Sequence, residues 1–151
     1  MRKIIKKKDG FTLLELMIVV SIITVMAAIA VPNFINWAPK FRLWSATDDI
    51  TKHLMLARMS AISQNRDVVV SFFKNESKYR ITHKTGVENY VLPKGILFGS
   101  LPITTITFNP TGQADVNLMV QIYSDSPKLI DNKRTISVRA ITGMINSAEG
   151  W

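Results

Sequence analysis

The chain has 151 residues and no cysteine, which leaves room for one folded domain plus an anchor and excludes disulfides, thiol nucleophiles and thiolate metal sites. Its formal net charge is +8, but the first ten residues alone hold five basic side chains against the single carboxylate of Asp9. The rest of the chain is only mildly basic, so the overall charge is a weak argument for a nucleic-acid-binding surface.

A basic leader precedes a long apolar run. Residues 11–31 contain four polar side chains, which are Thr12, Glu15, Ser21 and Thr24. As a helix, a run of this length spans about 30 Å, which is the thickness of the hydrocarbon core of a bilayer. Because the cluster of basic residues lies on the N-terminal side, the positive-inside rule predicts a cytoplasmic N-terminus and a translocated C-terminal portion.

Three other interpretations of the apolar run stay open from the residues alone. It is compatible with a buried core helix, with an unprocessed anchor, or with a secretory signal peptide whose cleavage signal is Ala28-Ile29-Ala30. The core of an ordinary signal peptide is uncharged and about 7–15 residues long. This run is longer and contains Glu15, which argues against an ordinary signal peptide.

Glu15 needs a compensating partner. A carboxylate inside an apolar run costs on the order of 3 kcal/mol on insertion scales. Cleavage between Gly10 and Phe11 creates a new α-ammonium group about one helical turn before Glu15. If a neighbouring subunit offers this group, the buried charge is paired instead of isolated.

The segment Lys6–Leu16 reads KKKDGFTLLEL. It resembles the N-terminal signal of type IV pilins and type II secretion pseudopilins. The resemblance implies cleavage after Gly10 by prepilin peptidase, N-methylation of Phe11 and a role of Glu15 in subunit assembly. Pro32 also matches, because many pilins have a proline at this point. Since a proline inside a helix removes one backbone hydrogen bond, we expect a kink there.

The next segment of the chain, residues 33–45, carries aromatic residues beside cations. Trp37, Phe41 and Trp44 lie next to Lys40 and Arg42. This composition is typical of a membrane–water interface. Packing of the same aromatic side chains against a globular domain is an equal alternative.

Residues 46–64 have the pattern of an amphipathic helix. Apolar residues recur at i, i+4, i+7 and i+11, namely Ile50, Leu54, Ala57 and Ala61. We interpret Met55 and Met59 beside this stripe as flexible filler of the core. The pattern therefore predicts one buried stripe along this half of the helix.

After Asn65 the sequence changes to short alternating runs. They predict strands near residues 68–73, 79–83, 87–92, 96–98, 105–108, 116–123 and 135–140. Turn signals separate them, among them Pro93-Lys94-Gly95, Asn109–Gly112 and Thr142-Gly143. The predicted fold class is α+β: a long N-terminal helix, apolar in its membrane half and amphipathic in its second half, packed on an antiparallel β-sheet domain.

Two further segments resemble a narrower family. Residues 54–66 and the turn in residues 106–112 are similar to the helix-to-strand junction and the mid-domain turn of GspH/FimT-type minor pseudopilins. The resemblance implies a non-enzymatic subunit of a type II secretion pseudopilus or a type IV pilus. It also implies three parts: a leader (1–10), a transmembrane or filament-core helix (11–39) and an amphipathic helix with a globular domain (40–151). The expected partners are prepilin peptidase, other subunits, the inner membrane and an assembly platform.

Signals for other chemistry are weak. His53 and His83 lack metal-ligand spacing, so we expect structural roles for both and no metal or cofactor. The alternative function is DNA binding, because some FimT-like minor pilins bind DNA through a basic C-terminal stretch. The nearest cations here are Lys133, Arg134 and Arg139. Because affinity for DNA rises with the number of phosphates neutralised, three scattered cations predict weak binding.

Overall fold

The computed structural model of the protein describes residues 11–84, 86–126, 129 and 132–150, and the predicted leader lies outside them. Within these residues one helix, α1 (Leu13–Gln64), precedes eight strands: β1 (Val68–Phe73), β2 (Lys78–His83), β3 (Gly86–Val91), β4 (Ile96–Phe98), β5 (Thr105–Phe108), β6 (Leu118–Ser124), β7 (Lys133–Val138) and β8 (Ile145–Glu149). The chain divides into two compact units, residues 1–36 and residues 37–151. The predicted α+β class is confirmed.

In the unit of residues 37–151, α1 buries one stripe. The predicted residues Ile50, Leu54, Ala57 and Ala61 are each at most 1% exposed. Their spacing places them on one face, because side chains three or four residues apart in a helix lie above one another. Our interpretation of the methionines was wrong. Met55 and Met59 are 45% and 64% exposed and lie on the solvent side of the helix.

A left-handed residue ends α1 and turns the chain towards β1. Asn65 has φ 51°, a conformation that asparagine tolerates better than most residues. Its N–H donates to the carbonyl of Ile62 at 3.2 Å, and the N–H of Arg66 donates to the carbonyl of Ala61 at 3.1 Å. These two bonds satisfy carbonyl groups that the end of a helix would otherwise leave unpaired.

The strands form two four-stranded antiparallel sheets. The strand orders are β3-β2-β1-β5 and β4-β6-β7-β8. Strand β8 was not predicted from the sequence, because Ile145 is its one buried side chain and its other four residues are exposed. It pairs along β7, where Val138 lies opposite Ile145 and Arg134 lies opposite Glu149.

The core of this unit lies between the buried stripe of α1 and apolar side chains of both sheets. In β1 burial alternates along the strand, so Val68, Val70 and Phe72 are buried. Phe108 of β5 and Ile136 of β7 are fully buried members of the same cluster. Both sheets therefore contribute to a single hydrophobic core.

Arg58 holds two turns against α1. Its Nε donates to the carbonyl of Gly112 at 2.8 Å, and its Nη2 donates to the carbonyl of Thr142 at 2.9 Å. Gly112 and Gly143 have φ of +80° and +60°, and a Cβ on Gly143 would lie 2.0 Å from the carbonyl oxygen of Gly112. Glycine is needed at both turns for its left-handed backbone, and at Gly143 also for the close approach of the two turns.

Candidate functional site

The apolar first part of α1 is uncovered. Leu13–Pro32 is long and apolar enough to cross a membrane, and none of it is buried within the chain. A core helix buries at least one face, so this finding contradicts the buried-core interpretation. A helix that is apolar on all sides needs lipid or other helices around it.

Thr12 fixes the start of this helix. Its Oγ1 accepts a hydrogen bond from the backbone N–H of Glu15 at 3.2 Å. Thr12 is therefore the N-cap and Glu15 is the third helical residue, where a carboxylate is favoured by the helix dipole. The sequence Thr-x-x-Glu is the signature of this arrangement, so the cap could have been recognised from the residues alone. Phe11, just before the cap, is 86% exposed, and Gly10 lies outside the described residues.

The other polar side chains of the apolar run are satisfied inside the helix. Ser21 and Thr24 donate their hydroxyl groups to the carbonyls of Met17 and Val20, each at 2.8 Å. These bonds remove the cost of placing hydroxyls in an apolar surrounding. The carboxylate of Glu15 is exposed, and as an acidic group in an apolar run it has the strongest need for an outside partner. α1 is assigned as helix through Pro32, and a kink there remains a prediction.

A second exposed apolar surface runs along α1 in the unit of residues 37–151. Opposite the buried stripe lie six side chains that are 45–64% exposed, and we call them the outer stripe: Trp37, Phe41, Trp44, Met55, Met59 and Ile62. Their spacings of three and four residues place each group on one face of the helix. An ion pair between Lys52 and Asp48 at 2.5 Å separates the aromatic half from the methionine half.

The three cations proposed for DNA contact do not form one patch. Lys133 and Arg134 lie at the start of β7, and Arg139 follows its end, so Arg134 and Arg139 are about 17 Å apart along the strand. The side chain of Arg134 is only 12% exposed and pairs with Glu149 at 2.7 Å. Arg139 is thus separated from the other two cations, which are adjacent in β7 and point to opposite faces of the strand.

A half-buried polar cluster joins α1 to the first sheet. The Nδ1 of His53 lies 2.6 Å from the Oη of Tyr79, and the His53 ring stacks on Tyr90 with centroids 3.9 Å apart. Burial lowers the pKa of His53 and raises the pKa of Tyr79. Tyr79 therefore keeps its proton, and its phenol can donate to the neutral imidazole. The cluster is well placed for a structural role.

The described part of the chain holds no cluster of metal-binding side chains. There, His, Asp and Glu side chains do not gather in any group of three that could hold a metal ion. His83 is tied to α1 through Ser60, whose Oγ lies 3.2 Å from its Nδ1. The features that stand out are instead the uncovered apolar helix with its capped start and the outer stripe.

Comparisons of sequence identify the family. A model of the prokaryotic N-terminal methylation motif matches residues 5–31, and a model of the type II transport protein GspH matches residues 46–142. The type IV major alpha-pilin of Moraxella bovis is 31% identical over 132 residues, which are 85% of this chain and 80% of that protein. A fimbrial protein of Pseudomonas aeruginosa is 37% identical over 76 residues, so the match spans about half its length (49%) and half of this chain (50%).

Comparisons of structure agree with this family. The minor pseudopilin EpsH from the type 2 secretion system of Vibrio cholerae superposes with a TM-score of 0.58 at 12% identity, covering 72% of this chain and 97% of EpsH. The type IV minor pilin FimU of P. aeruginosa gives the same TM-score at 17% identity, covering 72% of this chain and 90% of FimU. At such identities the likeness shows the fold alone. Together with the sequence matches, it places the chain in the GspH family of type IV pilin-like proteins, which are structural subunits and not enzymes.

Proposed function

We propose that the protein is a minor subunit that is processed by prepilin peptidase, held in the inner membrane by its apolar helix, and then assembled into a type II secretion pseudopilus or a type IV pilus. The proposed parts are the leader (1–10), the membrane and filament-core helix (11–39) and the amphipathic helix with its globular domain (40–151). A helix that buries nothing inside its own chain is the observation that carries this proposal.

The uncovered apolar surface of residues 13–31 is of the kind that a filament subunit buries against its neighbours. Monomeric soluble proteins rarely expose apolar patches of more than a few hundred Å². Here every large apolar side chain from Leu13 to Val31 is at least 44% exposed. Lipid covers such a helix before assembly, and the helices of neighbouring subunits cover it afterwards. Since both surroundings are apolar, transfer between them costs little hydrophobic free energy.

Processing and topology follow from the leader. We propose cleavage between Gly10 and Phe11 and methylation of the new N-terminus at Phe11. The five basic residues of the leader keep the N-terminus in the cytoplasm and place the globular domain in the periplasm. Thr12 caps the helix from within the mature chain, so removing residues 1–10 leaves the start of α1 intact.

Glu15 is the proposed contact for assembly. Its carboxylate is exposed near the positive end of the α1 dipole, and in lipid it lacks the solvation of water. The methylated ammonium group on Phe11 of a neighbouring subunit carries the opposite charge. Pairing the two in the filament core compensates both charges and fixes the axial register of one helix against the next.

The test of processing is intact-mass measurement and N-terminal sequencing of the protein isolated from membranes of its host. The expected mature chain begins at N-methylated Phe11. A Gly10→Val variant should accumulate at full length, because a branched side chain obstructs an extended backbone in the peptidase site. As a control, an Ala30→Val variant should be processed normally. A mature chain that begins after Ala30, or a full-length chain in assembled fibres, would contradict the proposal.

The kind of filament is tested by deletion. If the subunit serves type II secretion, its loss should block export of folded enzymes; if it serves a type IV pilus, its loss should reduce surface pili instead. The alternative function in DNA uptake is weakened by the separation of Arg139 from Lys133 and Arg134. Duplex-DNA binding with a steep salt dependence, abolished by an Arg139→Ala and Lys133→Ala double variant, would restore that alternative.

A further inference from the structure

One end of the unit of residues 37–151 combines aromatic side chains with cations. We call it the basal face and define it by Trp37, Phe41, Trp44, Lys40, Lys94 and Arg134. Strands of the second sheet end there, since Ile96 at the start of β4 pairs with Ser124 at the end of β6. The early turns of α1 in this unit lie beside them, because Nη1 of Arg42 donates to the carbonyl of Lys94 at 3.1 Å.

The aromatic side chains of the basal face are largely uncovered. Trp37, Phe41 and Trp44 are 58%, 51% and 57% exposed. The rings of Trp37 and Phe41 stack with centroids 5.6 Å apart. They line a cleft of about 450 Å³ whose other walls include Lys40 and the ion pair of Arg134. Tryptophan beside lysine and arginine is the composition that favours a membrane–water interface.

The charge of the basal face is positive. Among the described residues it carries the cations of Lys40, Lys94 and Arg134 together with those of Arg42 and Lys133, against the carboxylates of Asp125 and Glu149. Lys40, Arg42 and Lys94 are exposed, so their charges reach the surface. The excess of cations complements an anionic surface and disfavours a cationic one.

Chain connectivity limits how far Trp37 can lie from the end of the apolar span. The apolar span ends at Pro32, and Trp37 follows five residues later. Five residues reach about 8 Å as a helix and at most about 18 Å when fully extended. The headgroup layer on each side of a bilayer is about 5–7 Å thick. Trp37 of the basal face can therefore reach the headgroups.

We infer that the basal face docks on the anionic phospholipid headgroups of the same bilayer that holds the apolar helix. The aromatic rings enter the interfacial layer, and the exposed cations of Lys40, Arg42 and Lys94 contact lipid phosphates. This inference rests on the proposed function, since it requires a membrane-anchored chain. Docking holds the globular domain against the membrane before assembly, and incorporation into a filament must release it.

Trp44 is the reporter for docking. It follows Pro32 by twelve residues, or about 18 Å of helix, so lipid reaches its ring only if the basal face turns towards the membrane. A full-length chain with Trp37→Phe and Trp151→Phe leaves this one tryptophan. It is reconstituted into vesicles of phosphatidylcholine, alone or mixed with phosphatidylglycerol, and its fluorescence quenching by lipids brominated near the headgroup is measured.

We expect strong quenching of Trp44 in vesicles that contain phosphatidylglycerol and weak quenching in phosphatidylcholine alone. Each cation near an anionic surface strengthens attachment roughly fivefold. A Lys40→Glu and Lys94→Glu double variant should therefore lower the ratio of docked to undocked chains by roughly tenfold or more. The matched control is Arg66→Glu with Lys84→Glu, which makes the same change in net charge near the other end of α1 and should leave quenching unchanged.

Flotation of the vesicles distinguishes a failure of the membrane anchor from a failure of the docking. If the chain does not float with the vesicles, both the membrane anchor and the docking are wrong. If it floats and Trp44 is not quenched, only the docking is wrong. Quenching that is equal in the two lipid mixtures, or protection of Trp44 by a second copy of the chain instead of by lipid, also overturns the inference.

Discussion

The two units of the chain differ in how they treat apolar side chains: residues 11–36 expose them, and residues 37–151 bury a core of them. In the first unit the large apolar side chains are exposed, whereas in the second Ile50, Leu54 and Phe108 are at most 1% exposed. Both units contain part of the same helix, α1. The difference is the pattern of the sequence: apolar residues on every side in the first unit, and a stripe facing two sheets in the second. Apolar surface without intramolecular cover indicates a partner outside the chain.

The outer stripe is intermediate between these two cases. It lies on the well-packed part of α1, yet Trp37, Met59 and Ile62 are 48–64% exposed. The folded unit does not need these side chains for its own core. They give the second unit an uncovered apolar surface of its own. We therefore expect substitutions in the uncovered surfaces to affect assembly or membrane attachment, and substitutions in the buried stripe to affect folding.

The largest effect is expected for Glu15→Ala. Removal of one partner of a buried ion pair costs about 3–5 kcal/mol, so incorporation into filaments should fall more than a hundredfold, while membrane insertion should improve. Ser21→Ala is the control, because the Ser21 hydroxyl is bonded within its own helix. The readout is the ratio of filament to membrane protein in sheared fractions. Normal incorporation of Glu15→Ala would remove this residue from the mechanism.

The same substitution in the two units should have different consequences. Leu54→Ala removes a fully buried side chain and should lower the free energy of unfolding of the globular unit by about 2–5 kcal/mol. Leu16→Ala, at a residue that is 61% exposed, should leave that free energy unchanged. Denaturant unfolding of the full-length chain in detergent, followed by near-UV circular dichroism, measures both. Equal destabilisation by the two substitutions would contradict the separation of the units.

Gly143→Ala tests the tight turn that Arg58 holds. An added Cβ would lie 2.0 Å from the Gly112 oxygen, at a backbone φ of +60°. Steric conflict and the left-handed backbone together should cost about 2 kcal/mol or more. Gly86→Ala is the matched control, because a Cβ there meets nothing within 4 Å. Thermal unfolding of the two variants should differ clearly, and a Gly143→Ala variant as stable as the control would refute the close approach.

The smallest effect is expected from pH. Burial is the main cause that lowers the pKa of His53, while Asp49 and Glu88 act in the opposite direction and Lys52 adds to the lowering. The unfolded chain therefore binds this proton more readily than the folded chain does. Stability should be fully present above the ordinary pKa of 6.5 and should decrease as the pH falls below it towards the folded pKa.

A His53→Gln variant should remove this contribution to the pH dependence of unfolding. His83→Gln is the matched control, since His83 belongs to a different contact, with Ser60. Urea midpoints between pH 7.5 and pH 5 compare the two variants with the parent chain. A His53→Gln profile that keeps the slope of the parent chain would show that another group is responsible.

Much of this architecture could be predicted from local patterns. The stripe of Ile50, Leu54, Ala57 and Ala61 and the alternation in β1 are confirmed, because burial on one face imposes a period of 3.6 residues on a helix and of two residues on a strand. Strand β8 could not be predicted, because an edge strand needs little apolar alternation. The exposure of Met55 and Met59 was also missed, since methionine suits both a core and a binding surface.

The sequence by itself determined the membrane-length helix, the N-terminal methylation motif of residues 5–31, the unusual carboxylate of Glu15 and the α+β class. These features depend on the order and spacing of neighbouring residues, which a single chain shows directly. Only the tertiary structure decided that Arg134 and Glu149 line a cleft with Trp37 and Trp44, and that Lys94 lies beside Arg42. Such groupings depend on strand pairing between distant segments, and no local period in the sequence encodes that pairing.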